Sequence, residues 1–275
     1  MQFMVQKVDL HTHTTHSDGF HSPEELIKIA KSRGIRAVSI TDHDAISAYT
    51  EAHSFGKKIG VEVIPGVELS IDIGGSEVHI LGYLFNPKDK DLKAYLKFFR
   101  DERYRRACKI IEKLKALGFN LDIDEIELAT KHSAIGRPHI AKLLLSKGYV
   151  KSYLEAFNKF IGNGRPAFEK KVHLSPQSAF KIIKDAGGIS FIAHPGKMPE
   201  PLLKDLIDAG VDGIEVFHPS HSLRLINFYK GIVNEFYLLS SGGSDFHGGK
   251  REDDDNFGKY YIGYDSLEKL KMNIS

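Results

Sequence analysis

The stretch DLHTHTTHSD at residues 9–18 crowds three histidines, among them His11 and His13, and the carboxylate of Asp18 onto the end of a short apolar run. That run, residues 5–10, has no helical period and predicts a β-strand, so His11 and His13 project on the same side. Neutral imidazole is the commonest metal ligand, and a carboxylate beside it favours a divalent cation. The stretch indicates a metal site, with a His-rich polar loop as the alternative.

The composition bounds the class of protein. A chain of 275 residues suits a single α/β barrel or a barrel-like domain with an insert, and a net charge of +2 gives no global field that would attract a polyanion. The single cysteine, Cys108, excludes an internal disulfide and suits a reducing compartment. No apolar run approaches the roughly 20 residues of a membrane span, and no signal-peptide core is visible. We expect a cytoplasmic protein with no membrane contact and no stable protein partner.

Strands and helices alternate along most of the chain. Ser22 and Pro23 open a capped helix that ends before Gly34. Pro65-Gly66 predicts a break in the third strand, and Gly74-Gly75 predicts a hairpin. Strand–helix–strand spacing elsewhere predicts parallel strands with right-handed crossovers. Strands are expected at residues 5–10, 35–40, 61–68, 78–85, 188–193, 213–217, 236–239 and 260–264, and further helices at 47–58, 175–186 and 266–272.

The middle of the chain differs in period and in charge. From residue 91 to about residue 118 the pattern is helical and basic, and helical patterns continue from there without a clear strand. We therefore predict a small helical insert at residues 92–168 within a metal-binding barrel domain formed by residues 1–91 and 169–275. Most basic residues of the first helix are expected to form a solvated face.

Acids and imidazoles recur where the predicted strands end. Because the carboxyl ends of parallel strands meet at one face of a barrel, these side chains are expected to converge there. Burying so many polar groups unpaired would be costly, and their number exceeds the about three or four protein ligands of one zinc ion, which suits two or three ions. The set comprises His11, His13, Asp18, Asp42, His43, Glu68, His79, His194, His218, Asp245 and His247.

The motifs around these residues resemble those of the PHP (polymerase and histidinol phosphatase) superfamily of metal-dependent phosphoesterases. They are DLHTH with Asp18, TDH at 41–43, PGVE at 65–68, HILGY at 79–83, AHP at 193–195 and SDFH at 244–247. The resemblance implies an α/β fold, a distorted seven-stranded (β/α) barrel like a TIM barrel, with two or three divalent ions (Mn, Fe, Zn or Mg). It assigns one ion to His11, His13, Glu68 and Asp245, a second to Glu68, His79 and His194, and a third to Asp18, His43 and His247.

A narrower resemblance is to the nucleoside 3′,5′-bisphosphate phosphatases, a branch with a helical insert and an IGRPH motif that also includes 5′→3′ exonucleases acting on short RNA. Here IGRPH is residues 135–139, followed by GRPA at 164–167 and IEVFHP at 214–219. Phe217 stands where the branch usually has Tyr. The resemblance implies a phosphatase or exonuclease that hydrolyses the 5′ phosphate of a nucleotide or short oligonucleotide.

The residues divide into expected roles. Divalent ions supply hydroxide near neutral pH and offset charge on the phosphoryl oxygens. As catalytic residues we expect Glu68, which can give one oxygen to each of two ions, and Asp42, which can orient the neighbouring His43. His218 has no assigned ion and is expected to bind phosphate or to protonate the leaving oxygen. Substrate phosphate is expected to bind Arg137, His139, Arg165 and His218.

Two other functions compete with this one. The first is a small-molecule phosphatase of the histidinol phosphatase type, or a metal hydrolase that cleaves C–N bonds. Substrate size separates them, because the pair Arg137 and Arg165 makes sense only with a second phosphate. The second is a non-catalytic module that stabilises a polymerase. In such modules ligands are often lost, whereas every assigned ligand is present here.

Overall fold

Eight strands form one sheet that curves into a nearly closed barrel in this computed structural model, which describes residues 6–74, 76–130, 135–172, 174–249 and 252–274. The strands are β1 (Lys7–Thr12), β2 (Ile35–Ile40), β3 (Glu62–Ile73), β4 (Ser76–Tyr83), β5 (Ile189–Ile192), β6 (Gly213–Phe217), β7 (Leu239–Gly242) and β8 (Ile262–Gly263). Their order in the sheet is β7-β6-β5-β4-β3-β2-β1-β8. The predicted α/β barrel is confirmed, and Val5 of the first predicted strand lies outside the described residues.

Helices cover the sheet and form the middle of the chain. Among the described residues, none is both long and apolar enough to cross a membrane. They are α1 (Pro23–Ser32), α2 (Ala48–Ile59), α3 (Lys90–Ala116), α4 (Ile123–Thr130), α5 (Arg137–Ser146), α6 (Tyr153–Ala156), α7 (Pro176–Asp185), α8 (Glu200–Asp208), α9 (Leu223–Glu235) and α10 (Tyr264–Met272), with a π-helical turn at Phe157–Ile161 and a 3₁₀ turn at Asp254–Asn256.

The start of α1 shows why the sequence signals for helices are reliable here. The hydroxyl of Ser22 accepts the backbone N–H of Glu25 at 3.3 Å, and the Glu25 carboxylate accepts the backbone N–H of Ser22 at 2.8 Å. This reciprocal pair satisfies two backbone donors that the first turn of a helix leaves free. Gly34 follows the helix with a φ of 71°, a conformation that glycine adopts without steric cost. The predicted helix is confirmed.

Strand β4 reverses direction within an otherwise mostly parallel sheet. It pairs antiparallel with both β3 and β5, whereas β1–β2, β2–β3, β5–β6 and β6–β7 are parallel, and β8 is antiparallel to β1. Ile73 pairs with Ser76, so only two residues connect β3 to β4, and a connection that short makes a hairpin. The hairpin predicted between β3 and β4 is confirmed, whereas the prediction of parallel strands elsewhere is wrong for the pairing of β4 with β5 and for β8. Gly75 of the predicted hairpin lies outside the described residues.

The predicted break of the third strand at Pro65-Gly66 is also wrong. Strand β3 continues to Ile73 but changes partner: residues 62–65 pair with β2, and residues 66–73 pair with β4. Pro65 is tolerated because it lies at the end of the β2 pairing, where its carbonyl accepts the N–H of Leu84 at 3.0 Å. As a result β3 extends beyond β2 and carries Glu68 in its interior.

The helical middle of the chain has a hydrophobic cluster of its own, whose buried members run from Ala107 to Ala167. Helix α3 belongs to this cluster only in its second half. Its first half packs Leu92, Leu96 and Phe99 against the cluster that lies between the sheet and its helices. One helix therefore joins the two packing units. The boundaries of the insert stay a prediction.

Replacing Gly66 with alanine is expected to lower the free energy of unfolding by about 1–3 kcal/mol, as overpacking typically does. A Cβ there would lie 2.0 Å from the Ser39 hydroxyl oxygen and 2.9 Å from the carbonyl oxygen of Ile40. The control is Gly231→Ala in α9, where nothing lies within 4 Å of the added Cβ. It is expected to stabilise by up to about 1 kcal/mol through helix propensity. Urea unfolding measures both, and equal effects would contradict the close approach at Gly66.

Candidate metal centre

The nine predicted metal ligands converge at one end of the barrel. Their ligand atoms fall into four groups, in each of which the atoms lie within 4.8 Å of one another. Several residues belong to more than one group, which is the arrangement expected of neighbouring ions that share ligands. The groups are His13, Asp18, His43 and His247; His11, His194 and Asp245; His11, His13 and Glu68; and His43, Glu68 and His79.

The reversal of β4 places His79 at this end. The carboxyl ends of the parallel strands meet here, and an antiparallel strand contributes its beginning instead. His79 is the fourth residue of β4 and pairs with Ser70 of β3. The extension of β3 beyond β2 has a similar effect, because it brings Glu68 into a bridge with His43, which follows β2.

Glu68 lies at the centre of the cluster and is 1% exposed. Its Oε1 is 2.8 Å from Nδ1 of His79 and 3.1 Å from Nε2 of His194. Its Oε2 faces the other side, 3.1, 3.3 and 3.5 Å from imidazole nitrogens of His43, His13 and His11. The two oxygens thus face different sets of imidazoles. Burial raises the pKa of Glu68, but the surrounding histidines outweigh burial and hold it well below its usual range.

Two aspartates complete the cluster. Asp18 Oδ1 is 3.4 Å from Nε2 of His247 and 3.9 Å from Nε2 of His43. Asp245 Oδ1 is 3.1 Å from Nε2 of His13. Burial lowers the pKa of His13, but Asp245 and Glu68 outweigh it and raise that pKa to about 10. The carboxylates that raise the pKa of His13 also supply negative charge that favours a divalent cation.

The imidazoles are oriented for metal ions rather than for one another. Nδ1 of His247 faces the backbone carbonyl of Asp245 at 2.8 Å, which requires the proton on Nδ1 and leaves the Nε2 lone pair for a metal. Buried polar atoms without partners are costly, and an ion removes that cost. The residues therefore fit divalent cations. Within the described residues, the buried nitrogens without a hydrogen-bond partner are Nε2 of His11, both ring nitrogens of His13, Nδ1 of His43, Nδ1 of His79, Nε2 of His218 and Nε2 of His247.

His218, a predicted catalytic residue, is buried beside the ligands and presents a donor. The backbone N–H of Ser220 donates to His218 Nδ1 at 3.1 Å. A neutral ring that accepts at Nδ1 carries its proton on Nε2. That Nε2 lies 3.6 Å from Oδ2 of Asp245. The geometry suits a hydrogen bond to a phosphate oxygen or to a leaving oxygen, as the sequence predicted for His218.

Asp42, the other predicted catalytic residue outside the ligand set, holds the loop after β1. Its Oδ1 accepts the N–H of Thr14 at 2.7 Å and the hydroxyl of Ser17 at 2.6 Å, and its Oδ2 accepts the hydroxyl of Thr14 at 2.6 Å. This loop carries His13 and Asp18. The contacts are those of an orienting residue, and it orients the neighbours of His13 and Asp18 rather than the His43 ring.

A cavity of about 240 Å³ adjoins the ligands, and basic side chains form its far wall. Nε of Arg103 donates to Asp44 at 2.5 Å, and Nζ of Lys171 lies 2.9 Å from Glu77. Burial, with a smaller contribution from Arg103, lowers the pKa of Lys171 to about 8. The lining consists of Asp18, His43, Ser70, Glu77, His79, Arg103, Arg106, Gly136, Arg137, Pro138, His139 and Lys171.

Arg103 and Arg106 of the basic helix are exceptions to the expected solvated face, because both line this cavity. Burial, followed by the neighbouring Arg137, lowers the pKa of Arg106 to about 10. The sequence contained a signal for this, because both arginines lie on the same face of α3 as the buried residues Phe99 and Ala107. Glu215 was missed too, although a lone acid within the apolar strand β6 is a signal for a buried polar contact.

The predicted substrate-binding residues do not all meet. Arg137 lines the cavity, donates to Oδ1 of Asn163 at 2.9 Å and lies over the ring of Phe157. His139 also lines it, accepts the N–H of Gly136 at Nδ1 and contacts the Ser17 carbonyl. Arg165 lies outside that lining.

The position of Arg165 follows from the turn that contains it. Its backbone N–H bonds to the carbonyl of Gly162 at 3.0 Å, and the side chain is exposed. The structure therefore does not bring Arg165 to the cavity that Arg137 and His139 line, and its role in binding substrate stays a prediction.

An α/β barrel that gathers histidine and carboxylate side chains at one end is typical of metal-dependent hydrolases. Residues 9–169 match the family model of the PHP domain. The chain is 34% identical over 250 residues to a 5′-3′ exoribonuclease of Haemophilus influenzae, covering 89% of this chain and 91% of that one. It is also 34% identical to a 3′,5′-nucleoside bisphosphate phosphatase of Chromobacterium violaceum, covering 88% of each.

A solved structure from Bifidobacterium adolescentis, assigned as a metal-dependent phosphoesterase, superposes with a TM-score of 0.86 at 27% identity and covers 96% of this chain and 94% of its own. The chain belongs to the PHP domain family. It is a metal-dependent phosphoesterase, a hydrolase of phosphoester bonds, and the resemblance identified from its motifs is confirmed. These relatives do not favour the alternative of a histidinol phosphatase type enzyme.

Proposed function

We propose that this protein hydrolyses the 5′ phosphate of nucleoside 3′,5′-bisphosphates and acts by the same chemistry on the 5′ ends of short RNA. The observation that carries the proposal is the basic cavity beside the metal ligands. A phosphate held at the ligands leaves the cavity free for a second phosphate of the same nucleotide. Both relatives named above act, by their names, on such substrates.

The charges in the cavity favour an anion. Arg103 is paired with Asp44. By contrast Arg106 donates to the backbone carbonyl of Glu169 at 2.9 Å, and Arg137 donates to the neutral side chain of Asn163. Among the described residues neither of these two guanidinium groups forms a direct ion pair, so their charge is available to a phosphate. A planar guanidinium is well suited to bind two phosphate oxygens at once.

For the metal ions we propose two or three per chain, drawn from Mn, Fe, Zn and Mg, because mixed imidazole and carboxylate ligands suit these cations. When bound, such ions supply the hydroxide nucleophile and offset charge on the phosphoryl group. We expect Glu68 to bridge two ions, because its two oxygens face different imidazoles. We expect His218 to donate its Nε2 proton to phosphate or to the leaving oxygen. A cytoplasmic location is part of the same proposal, as the single cysteine suggests.

Phosphate release with Mn²⁺ tests the substrate. Adenosine 3′,5′-bisphosphate is expected to react far faster than adenosine 5′-monophosphate, because only the bisphosphate has a group for the basic cavity, and the 3′ phosphate is expected to remain on the product. Histidinol phosphate is expected to react slowly, and a 5′-phosphorylated RNA oligomer is the second positive substrate. Equal kcat/KM for the two nucleotides, or release of the 3′ phosphate first, would contradict the proposal.

Elemental analysis tests the metal count. After reconstitution with excess Mn²⁺ and removal of free metal, two or three ions per chain are expected. Glu68→Gln is expected to lose bound metal and activity together, because a neutral amide is a poor bridge between cations. The matched control is Glu62→Gln at the start of the same strand, where the carboxylate contacts Lys271 instead. One bound metal ion or fewer per wild-type chain would refute the proposal that Glu68 is shared between ions.

Arg137→Ala tests whether Arg137 binds the second phosphate of the substrate. Loss of charge-assisted hydrogen bonds worth about 1.5–3 kcal/mol predicts a fall of roughly 10- to 150-fold in kcat/KM for the bisphosphate. The 5′-monophosphate, which lacks the contact, is expected to change little, and metal content is expected to stay constant. Arg105→Ala is the control, because Arg105 is exposed and pairs with Glu102. Equal losses with both substrates would mean that Arg137 does not select the second phosphate.

A further inference from the structure

A fully buried carboxylate, Glu215, lies behind the metal ligands on β6. Its Oε1 is 2.9 Å from Nδ1 of His11, and its Oε2 accepts the backbone N–H of His194 at 2.7 Å. His11 and His194 come from β1 and from the segment after β5, so one side chain joins ligands from two parts of the barrel. Ligand atoms of Glu215, His11 and His218 also lie within 4.8 Å of one another, but both oxygens of Glu215 already accept hydrogen bonds from the protein, which favours an orienting role over direct ligation.

We infer that Glu215 is a positioning residue, which fixes the proton on His11 and the backbone at His194 and thereby sets the affinity of the site for divalent metal. The inference rests on the metal ligation by His11 and His194 proposed above and is independent of the substrate. Outer partners of this kind typically change metal affinity by about 10- to 100-fold.

The contact with His11 determines which ring nitrogen can bind metal. An ionised carboxylate has no proton to donate, so the hydrogen bond requires the proton on Nδ1 of His11. The other nitrogen, Nε2, then keeps its lone pair. It points into the cluster, 3.2 Å from Oδ1 of Asp245 and 3.5 Å from Oε2 of Glu68, where a shared ion would lie between them.

The contact with His194 supports an unusual backbone. His194 has a φ of +28°, a conformation that residues with a Cβ rarely adopt. Its side chain must nevertheless reach the cluster, where Nε2 lies 3.1 Å from Oε1 of Glu68. By accepting the backbone N–H, Glu215 holds the residue in that conformation and satisfies a donor that is otherwise shielded from water.

Only an acceptor-only side chain satisfies both contacts. Glutamine has the same shape but offers one acceptor and one donor, whereas His11 and His194 both present N–H groups. If the amide NH₂ faces His194, two donors oppose each other, and the backbone N–H cannot adjust. If it faces His11, the imidazole must move its proton to Nε2, where it opposes a metal ion. Glu215→Gln therefore preserves volume, but in either orientation of the amide it weakens one of the two contacts that support metal ligation.

The test measures Mn²⁺ binding directly, by the electron paramagnetic resonance signal of free Mn²⁺ during titration of the metal-free full-length protein. Glu215→Gln is expected to weaken Mn²⁺ binding by about 10- to 100-fold relative to wild type. The rise in Tm that Mn²⁺ produces over EDTA is expected to shrink in parallel, because that rise depends on the dissociation constant. Glu215→Asp, which remains acceptor-only but is shorter, is expected to fall between the two.

Asp212→Asn is the matched control. Asp212 directly precedes β6, at the end of the strand away from the metal ligands. Its Oδ2 accepts the N–H and the hydroxyl of Ser190, both at 2.8 Å. It is expected to lower Tm equally in EDTA and in Mn²⁺ with unchanged Mn²⁺ affinity. The same behaviour in Glu215→Gln would overturn the inference.

A Glu215→Gln variant that does not fold leaves Glu215→Asp to decide, and wild-type affinity in that variant would overturn the inference. A wild-type protein that binds no Mn²⁺ would refute the proposed ligation itself, whereas normal Mn²⁺ binding without nucleotidase activity would refute only the proposed substrate.

Discussion

The burial of one negative charge, that of Glu68, organises this end of the molecule. A carboxylate removed from water is costly unless its charge is compensated nearby. Five imidazoles face this carboxylate, and the divalent ions that they fit would provide that compensation. To place the carboxylate there, β3 must run on past β2 and exchange one partner strand for another, and Gly66 permits the close approach at the point of exchange. The backbone path of β3 and the burial of the Glu68 charge therefore depend on each other.

A second set of contacts joins the helical middle of the chain to this centre. Arg103 of α3 bonds to Asp44, which adjoins the proposed ligand His43, and Lys171 bonds to Glu77, which lies two residues before the proposed ligand His79. Acids that follow β2 or lie on β4 thus meet cations from α3 and from the segment after the helical cluster, and the cavity forms where these parts of the chain meet. A site built at such a junction combines general hydrolytic chemistry with a separate surface for substrate selection.

The convergence of the metal ligands could be predicted from the sequence, because imidazoles and acids at the ends of successive strands are costly to bury unless they bind cations. The surrounding contacts were predicted poorly, for physical reasons. Glu215 is a single acid in an apolar strand, and sequence alone does not reveal which donors it meets. The partial burial of Arg103 and Arg106 could not be distinguished in the sequence from the exposure of the many other cations of the same helix. The direction of β4 relative to β3 followed from the hairpin signal at Gly74, whereas the exposure of Arg165 depends on a turn whose geometry only the fold determines.

Helix α3 has a mechanical consequence. Its 27 residues make a rod of roughly 40 Å, anchored at one end in the barrel and at the other in the helical middle, with Arg103 near its midpoint. We expect a change of packing at either anchored end to shift the helix and, with it, Arg103. The spacing between the proposed ligands and the basic side chains of the cavity would then depend in part on apolar contacts distant from both. Substitutions at such contacts are expected to alter which substrates fit, without changing any residue that touches them.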